Sequence, residues 1–231
     1  MAFLEIEKVS KYFPGSNGKG AICVFKDVHF HIEKGEFVTM VGHSGCGKTT
    51  LLNALAAHIP ARDRVVVIEE TAEIHLEKPN VVRLEARRAQ APLGHEAPLP
   101  PVSIADLLRA ALRHRPDRIL VGEVRGAEAF DLLQALNTGH LGSLSTIHSN
   151  SAEQAFTRLA HCVLTANVGL PHRSVREAIA LAIHLIAHIA RIDGLRRVTE
   201  IVNVRGYDAE SDRFLLEPTI VRQYPLEGAA P

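Results

Sequence analysis

Phe37-Val-Thr-Met-Val41 runs straight into Gly42-His-Ser-Gly-Cys-Gly47-Lys48-Thr49-Thr50, and Leu51, Leu52 and Leu55 follow at helical spacing. The central part matches GxxxxGK[ST] at every fixed position. A buried strand before it and a helix after it give the pattern the context a phosphate-binding loop needs. Glycines let backbone N–H groups curl around phosphate oxygens, and the helix N-terminus behind them adds a favourable dipole. Gly42, Ser44, Gly45, Cys46, Gly47 and Thr50 are the residues expected to wrap the phosphates. Lys48 reaches the β- and γ-phosphates, and the Thr49 hydroxyl ligates Mg2+. Cys46 reads as a small residue at a free position, not as a redox sensor.

A loop of this kind needs acidic partners to hold the metal and orient water. Arg118-Ile-Leu-Val-Gly-Glu123 is an apolar strand ending in a carboxylate, and Val65-Val-Val-Ile-Glu69-Glu70 is a second one ending in two. In a parallel sheet, strand C-termini lie along one edge, so these acids are expected beside the loop. The alternative is that they merely face solvent.

The remaining segments extend the same pattern. Phe3–Val9 and Val24–Ile32 read as strands, the second alternating and closed by Lys34-Gly35, with Pro14–Gly20 a loop between them. Residues 89–102 carry four of the twelve prolines and read as a loop. Ser103-Ile-Ala-Asp106 is a capping box opening a helix that Pro116 ends. A helix from about Ala127 to Asn137, a strand at Ser143–Ile147 and a helix capped at Ser151 follow. Strands and helices alternating at these lengths predict an α/β fold with a mostly parallel sheet flanked by helices. Leu185–Ile192 and Arg197–Val204 around Asp193-Gly194 predict a closing β-hairpin.

Length and composition set the limits. The chain has 231 residues, 46% hydrophobic and 23% charged, with formal net charge zero, so bulk charge does not point to nucleic acid. Three scattered cysteines, Cys23, Cys46 and Cys162, exclude a disulfide framework and a CxxC metal site. Ala178–Ala190 is too short to span a bilayer and is interrupted by His184 and His188. The N-terminal MAFLEIEKVSKYF lacks the apolar core of a signal peptide, so a cytoplasmic location is expected. The 7 Lys and 19 Arg are segregated: six Lys and no Arg precede Arg62, and only Lys78 follows it among the lysines. Exposed Lys and Arg are largely exchangeable, so this split points to a chain assembled from two sources.

From Thr49 to about Tyr224 the chain resembles the type II/type IV secretion ATPase superfamily. It looks most like the Flp/Tad pilus assembly and conjugal-transfer ATPases. The resemblance rests on Thr49-Thr-Leu-Leu-Asn-Ala-Leu55, VVVIEETAEI (65–74), NVVRLEAR (80–87) and the long run at 107–159. It implies a P-loop NTPase with a RecA-like core that binds ATP and Mg2+. Glu69 and Glu70 occupy the "Asp box", where one would polarise the attacking water. Glu123 is the Walker B acid, a metal partner beside Thr49. His148 matches the His box, with His140 in the same stretch, and would sense the γ-phosphate. Arg113, Arg115 and Arg125 match basic positions flanking Walker B, candidates for charge neutralisation in cis or across an interface. The superfamily implies a homo-oligomeric, hexameric ring, peripheral at the inner membrane and engaged with secretion or pilus machinery.

Residues 1–41 resemble instead the start of an ABC-transporter ATPase, where Tyr12 would stack on adenine. This divides the chain into 1–41 and a core at 42–231, joined near 42–60. The motor of a secretion, pilus or conjugal-transfer system is the expected function. An ABC-importer fragment and a non-catalytic nucleotide-binding chimera are the alternatives. The His184/His188 spacing suits zinc, but the Glu of HExxH is missing and a strand is expected there. Arg87-Arg88, Arg196-Arg197 and the 109–118 cluster are expected to be solvated or to face nucleotide, and no direct nucleic-acid contact is predicted.

Overall fold

The structure, a computed structural model, describes residues 4–14, 21–33, 35–89, 99–140, 142–192 and 194–221. Of the loop expected at Pro14–Gly20, Pro14 instead ends the first strand, Leu4–Pro14, and residues 15–20, most of the proline-rich loop, Lys34 and Asp193 lie outside the described residues. In chain order the elements are β1 (Leu4–Pro14), β2 (Ala21–Ile32), β3 (Val38–Val41), α1 (Lys48–Ala56), β4 (Val65–Glu69), β5 (Val81–Glu85), α2 (Ile104–Leu112) and β6 (Arg118–Val124). Then come α3 (Glu128–Asn137), β7 (Leu144–Ile147), α4 (Ala152–Thr165), α5 (His172–Ala182), β8 (Leu185–Ile192), β9 (Leu195–Asp208) and β10 (Arg213–Val221).

The main sheet has eight strands in the order β10-β9-β8-β3-β7-β6-β4-β5. The pairings from β8 through β5 are parallel, whereas β9 and β10 add an antiparallel edge. The unbroken Val65–Ile68 run is explained by this position, because a central parallel strand is covered on both faces. Val65 and Val67 enter one core with Val38, Met40 and Leu120. Val66 and Ile68 enter the other with Val41, Ile119 and Val121. One residue of slip would exchange the two sets, and both are already apolar, so register is held by the helices and loops that follow each strand.

Helices divide unequally between the faces. The second core takes side chains from α2, α3, α4 and α5. The first takes Leu51, Leu52 and Leu55 of α1 together with Ile6, Val28, Phe30 and Ile32 of the β1–β2 hairpin. That antiparallel hairpin forms a sheet of its own, and its buried residues lie in the same core as Ile189, Val198 and Ile201 of β8 and β9. The residues read as a separate front piece therefore complete the covering of one face of the sheet.

The capping box predicted at Ser103 is present: its side chain accepts the Asp106 N–H, and the Asp106 carboxylate accepts the Ser103 N–H. Ser151 caps α4 through the Gln154 N–H. Three elements were not anticipated. β5 is an edge strand whose VVRLE mixes exposed and half-buried positions, so its alternation is blurred. α5 starts from Pro171 without a side-chain cap and shows only Val175, Ile179 and Ala182 as buried periodic residues. β10 contains Pro218, which reads as a breaker, but an edge strand tolerates it.

Candidate functional site

A cleft of about 560 Å³ lies where β3, β4, β6 and β7 end. It forms for a topological reason: these parallel strands all point one way, so the residues after Val41, Ile68, Val121 and Ile147 meet at one edge. Ser44, Gly45, Gly47, Lys48, Thr49 and Thr50 line one wall, and Glu69, Glu70, Glu123, Arg125 and His148 line the rest. Gly42 and Cys46 support the loop from behind. A Cβ on Gly42 would lie 2.2 Å from the Ile189 carbonyl and 2.6 Å from Cys46 Sγ, on a backbone at φ 150°. Only glycine fits there. Cys46 is buried, and burial raises its thiol pKa despite Lys48 nearby, so it is an inert packing residue.

The loop leads into α1 through Gly47, a left-handed N-cap that offers no side-chain acceptor to the first-turn N–H groups. That is the geometry of an anion cradle. Lys48 Nζ donates to the carbonyls of Gly42 and His43, each at 2.9 Å, which holds the ammonium in the loop. Burial lowers its pKa, while Glu123 acts to raise it. Thr49 Oγ1 donates to Glu73 Oε2 at 3.2 Å. Hydroxyl and carboxylate oxygens around this point form a hard donor set that suits Mg2+.

Glu123 is aimed by a local irregularity. The β6–β7 register shifts between Val121 and Val124, and Thr146 Oγ1 donates to the freed Gly122 carbonyl at 2.6 Å. Such a bulge turns the next side chain out of the ladder. Glu123 Oε2 then lies 2.6 Å from Arg125 Nη2, and Oε1 lies 2.6 Å from His148 Nε2. Burial, followed by Lys48 and then the arginines, outweighs Glu123 and lowers the His148 pKa. The close approach of His148 to Glu123 is therefore a contact by distance, and the lowered pKa disfavours the charged imidazole there. Arg125 also pairs with Glu70 at 3.1 Å, and its guanidinium pKa is raised, chiefly by the Glu123 hydrogen bond.

The two Asp-box carboxylates differ in surroundings. Glu69 is buried, and its Oε1 accepts the N–H groups of Glu73 at 3.0 Å and Ile74 at 2.9 Å. Glu70 is exposed in the cleft, opposite Arg125.

Several expected residues fall elsewhere. Tyr12 stands half-exposed on the β1–β2 hairpin and is not among the cleft-lining residues. Arg113 and Arg115 are exposed just after α2, before β6 begins, away from the strand ends that build the cleft. His140 Nδ1 sits 2.9 Å from the Pro116 carbonyl, before β7. His184 accepts the Phe37 N–H at Nδ1, 3.0 Å away, and His188 Nδ1 lies 2.6 Å from Thr199 Oγ1. The pair is bound into the sheet by these contacts.

Six cleft residues escaped sequence reasoning as site residues: Thr71, Glu73, Arg88, Gly122, Thr146 and Arg196. The two arginines lay in dipeptides expected to be solvated or to face nucleotide, and tertiary structure places Arg88 and Arg196 on the cleft. Arg196 comes from the start of β9 and donates through Nε to the Gly45 carbonyl at 2.9 Å, across 151 residues of chain.

The similarities to known proteins agree with this geometry. Residues 26–206 match the family described as Type II/IV secretion system protein, a span that begins inside the segment resembling ABC ATPases. The chain is 40% identical over 173 residues to conjugal transfer protein TrbB of Rhizobium radiobacter, covering 74% of this chain and 49% of TrbB. It is 39% identical over 175 residues to type IV secretion system protein PtlH of Bordetella pertussis, covering 74% of this chain and 50% of PtlH. The crystal structure of the VirB11 ATPase from the Brucella suis type IV secretion system, in complex with sulphate, superposes with a TM-score of 0.64 at 34% identity. That match covers 73% of this chain and 48% of VirB11. The chain thus spans about half the length of the relatives it matches. By the family match over most of its length, the chain belongs to the Type II/IV secretion system protein family.

Proposed function

We propose that this chain is the ATP-hydrolysing motor core of a type IV secretion, Flp/Tad pilus or conjugal-transfer system. The observation that carries the reading is the position of Glu123. It faces the phosphate-loop residues Lys48 and Thr49 while contacting both His148 and Arg125. A structural acid at a strand end has no reason to pair with both His148 and Arg125 in the cleft that the phosphate loop lines.

Backbone N–H groups of residues 44–50 and the Lys48 ammonium bind the phosphates. Thr49 and Glu123 are the residues that would hold Mg2+, which when bound neutralises phosphate charge. Glu70 is the carboxylate that orients the attacking water and accepts its proton, being exposed in the cleft. Glu69 serves the site by holding the 70–74 turn. His148, 2.6 Å from Glu123, reports the occupancy of that carboxylate. Arg125 offsets the charge of Glu70 and Glu123 between turnovers.

Family likeness supports a homo-oligomeric, hexameric ring in the cytoplasm, peripheral at the inner membrane. There the exposed Arg113 and Arg115 would face a neighbouring subunit, since they do not reach their own cleft. Phosphate release from Mg·ATP tests the reading. Turnover should fall at least a hundredfold in both Lys48→Ala and Glu123→Gln, on the order of other losses of charge-stabilising groups. A wild-type rate equal to either variant would sink it. An ABC-importer subunit would instead give vanadate-trapped dimers that depend on residues 1–41.

A further inference from the structure

We infer that Arg196, carried by the β8–β9 hairpin, is a positioning residue for polyphosphate binding: it holds the tip of the phosphate loop and adds positive charge to the cleft. The inference rests on the nucleotide-site reading above. Three observations support it. The Nε–H of Arg196 bonds to the Gly45 carbonyl at 2.9 Å. Gly45 itself is left-handed, at φ 71°, and the next amide, Cys46 N–H, bonds back to the His43 carbonyl at 3.3 Å. The peptide between Gly45 and Cys46 is therefore pinned at both its C=O and its N–H, which sets where the neighbouring N–H groups of the loop point. Finally, Arg196 lines the cleft. It makes no ion pair among the described residues, whereas the Arg125 charge is shared by Glu70 and Glu123.

The hairpin is well placed for the task. Thr199 meets His188 on β8, and Glu200 accepts the Ala152 N–H at the start of α4, 3.3 Å away, just beyond the His148 segment. Val198 is buried in the core shared with the β1–β2 hairpin. One short stretch, 196–200, thus ties the phosphate loop to the segment after His148 and to the front hairpin. A guanidinium held at one nitrogen keeps its remaining donors for an anion in a fixed orientation.

The test is calorimetric binding of Mg·ADP, of inorganic pyrophosphate with Mg2+, and of AMP to the full chain. The proteins compared are wild type, Arg196→Lys and Arg196→Gln, each at low and high salt. Melting temperatures confirm that each variant is folded. Arg196→Gln should weaken ADP and pyrophosphate by about tenfold or more, the size expected for a charge-assisted hydrogen bond. Arg196→Lys should recover part of that loss, the salt dependence should be reduced in the glutamine variant, and AMP should change less than ADP. Wild-type affinity for ADP in Arg196→Gln overturns the inference, as does an equal loss for AMP and ADP. A wild-type chain that binds none of the three fails at the earlier step and overturns the nucleotide reading itself.

Discussion

Glu69 and Glu70 are adjacent and chemically identical, yet their surroundings differ. The Glu69 carboxylate accepts two backbone N–H groups in a buried setting, so its loss leaves donors unpaired. Glu69→Ala is expected to cost about 2–4 kcal/mol, since hydrogen bonds to charged groups contribute roughly 1.5–3 kcal/mol each and the turn can partly relax. Glu70→Ala removes only an exposed pair with Arg125 and should change stability by about 0.5 kcal/mol at most. It should nevertheless abolish most ATP turnover. Urea melts paired with phosphate-release rates separate the two. A stable Glu69→Ala with lost turnover, beside an active Glu70→Ala, would reverse the assignment.

The β1–β2 hairpin is the element whose standing the structure changes most. Its sequence was expected to stand apart from the core, but its buried face completes a core that also contains α1, β3 and β9. Phe30 is 6% exposed and lies in that core. Phe30→Ala should destabilise the chain by about 3–5 kcal/mol, read as a lower urea midpoint in a single transition. Two separated transitions would show the hairpin folding independently of the sheet. On the far face, Phe156 of α4 stacks on Phe214 of β10 at 4.2 Å, and this contact secures the edge strand that Pro218 made hard to foresee.

Across the whole chain, acid should loosen the fold at its histidines. His148, His184 and His188 all have pKa values lowered from the ordinary 6.5, in each case chiefly by burial. The unfolded chain therefore takes up protons near pH 6.5 that the folded chain refuses until lower pH. Stability from this source is intact above about 6.5 and declines as pH falls through that value toward the lowered ones. The melting temperature should drop between pH 7.5 and 5.5. His184→Asn, which can still accept the Phe37 N–H through Oδ1, should flatten the slope. A melting temperature that rises on acidification in this window would contradict the account.

Local physics made much of this protein readable from its sequence. The glycine–lysine–threonine loop, the β-branched run at Val65–Ile68 and the capping box at Ser103 each depend on neighbours within a few residues. They specify strand, loop and helix wherever they occur. Glu123 was legible because strand ends in a parallel sheet must gather at one edge, whereas His148 was singled out only by the family resemblance. The edge strands β5 and β10 were not, because one-sided burial leaves little periodicity to read. Nor was the division between Glu69 and Glu70, which turns on which carboxylate the 73–74 amides meet. Arg196 lies 151 residues from Gly45, and only the closure of β9 onto β8, and β8 onto β3, brings them together. Lys and Arg are segregated along the chain, but the core that takes side chains from both the β1–β2 hairpin and the strands after it is continuous, because burial of apolar surface depends on shape and not on which cation a segment carries.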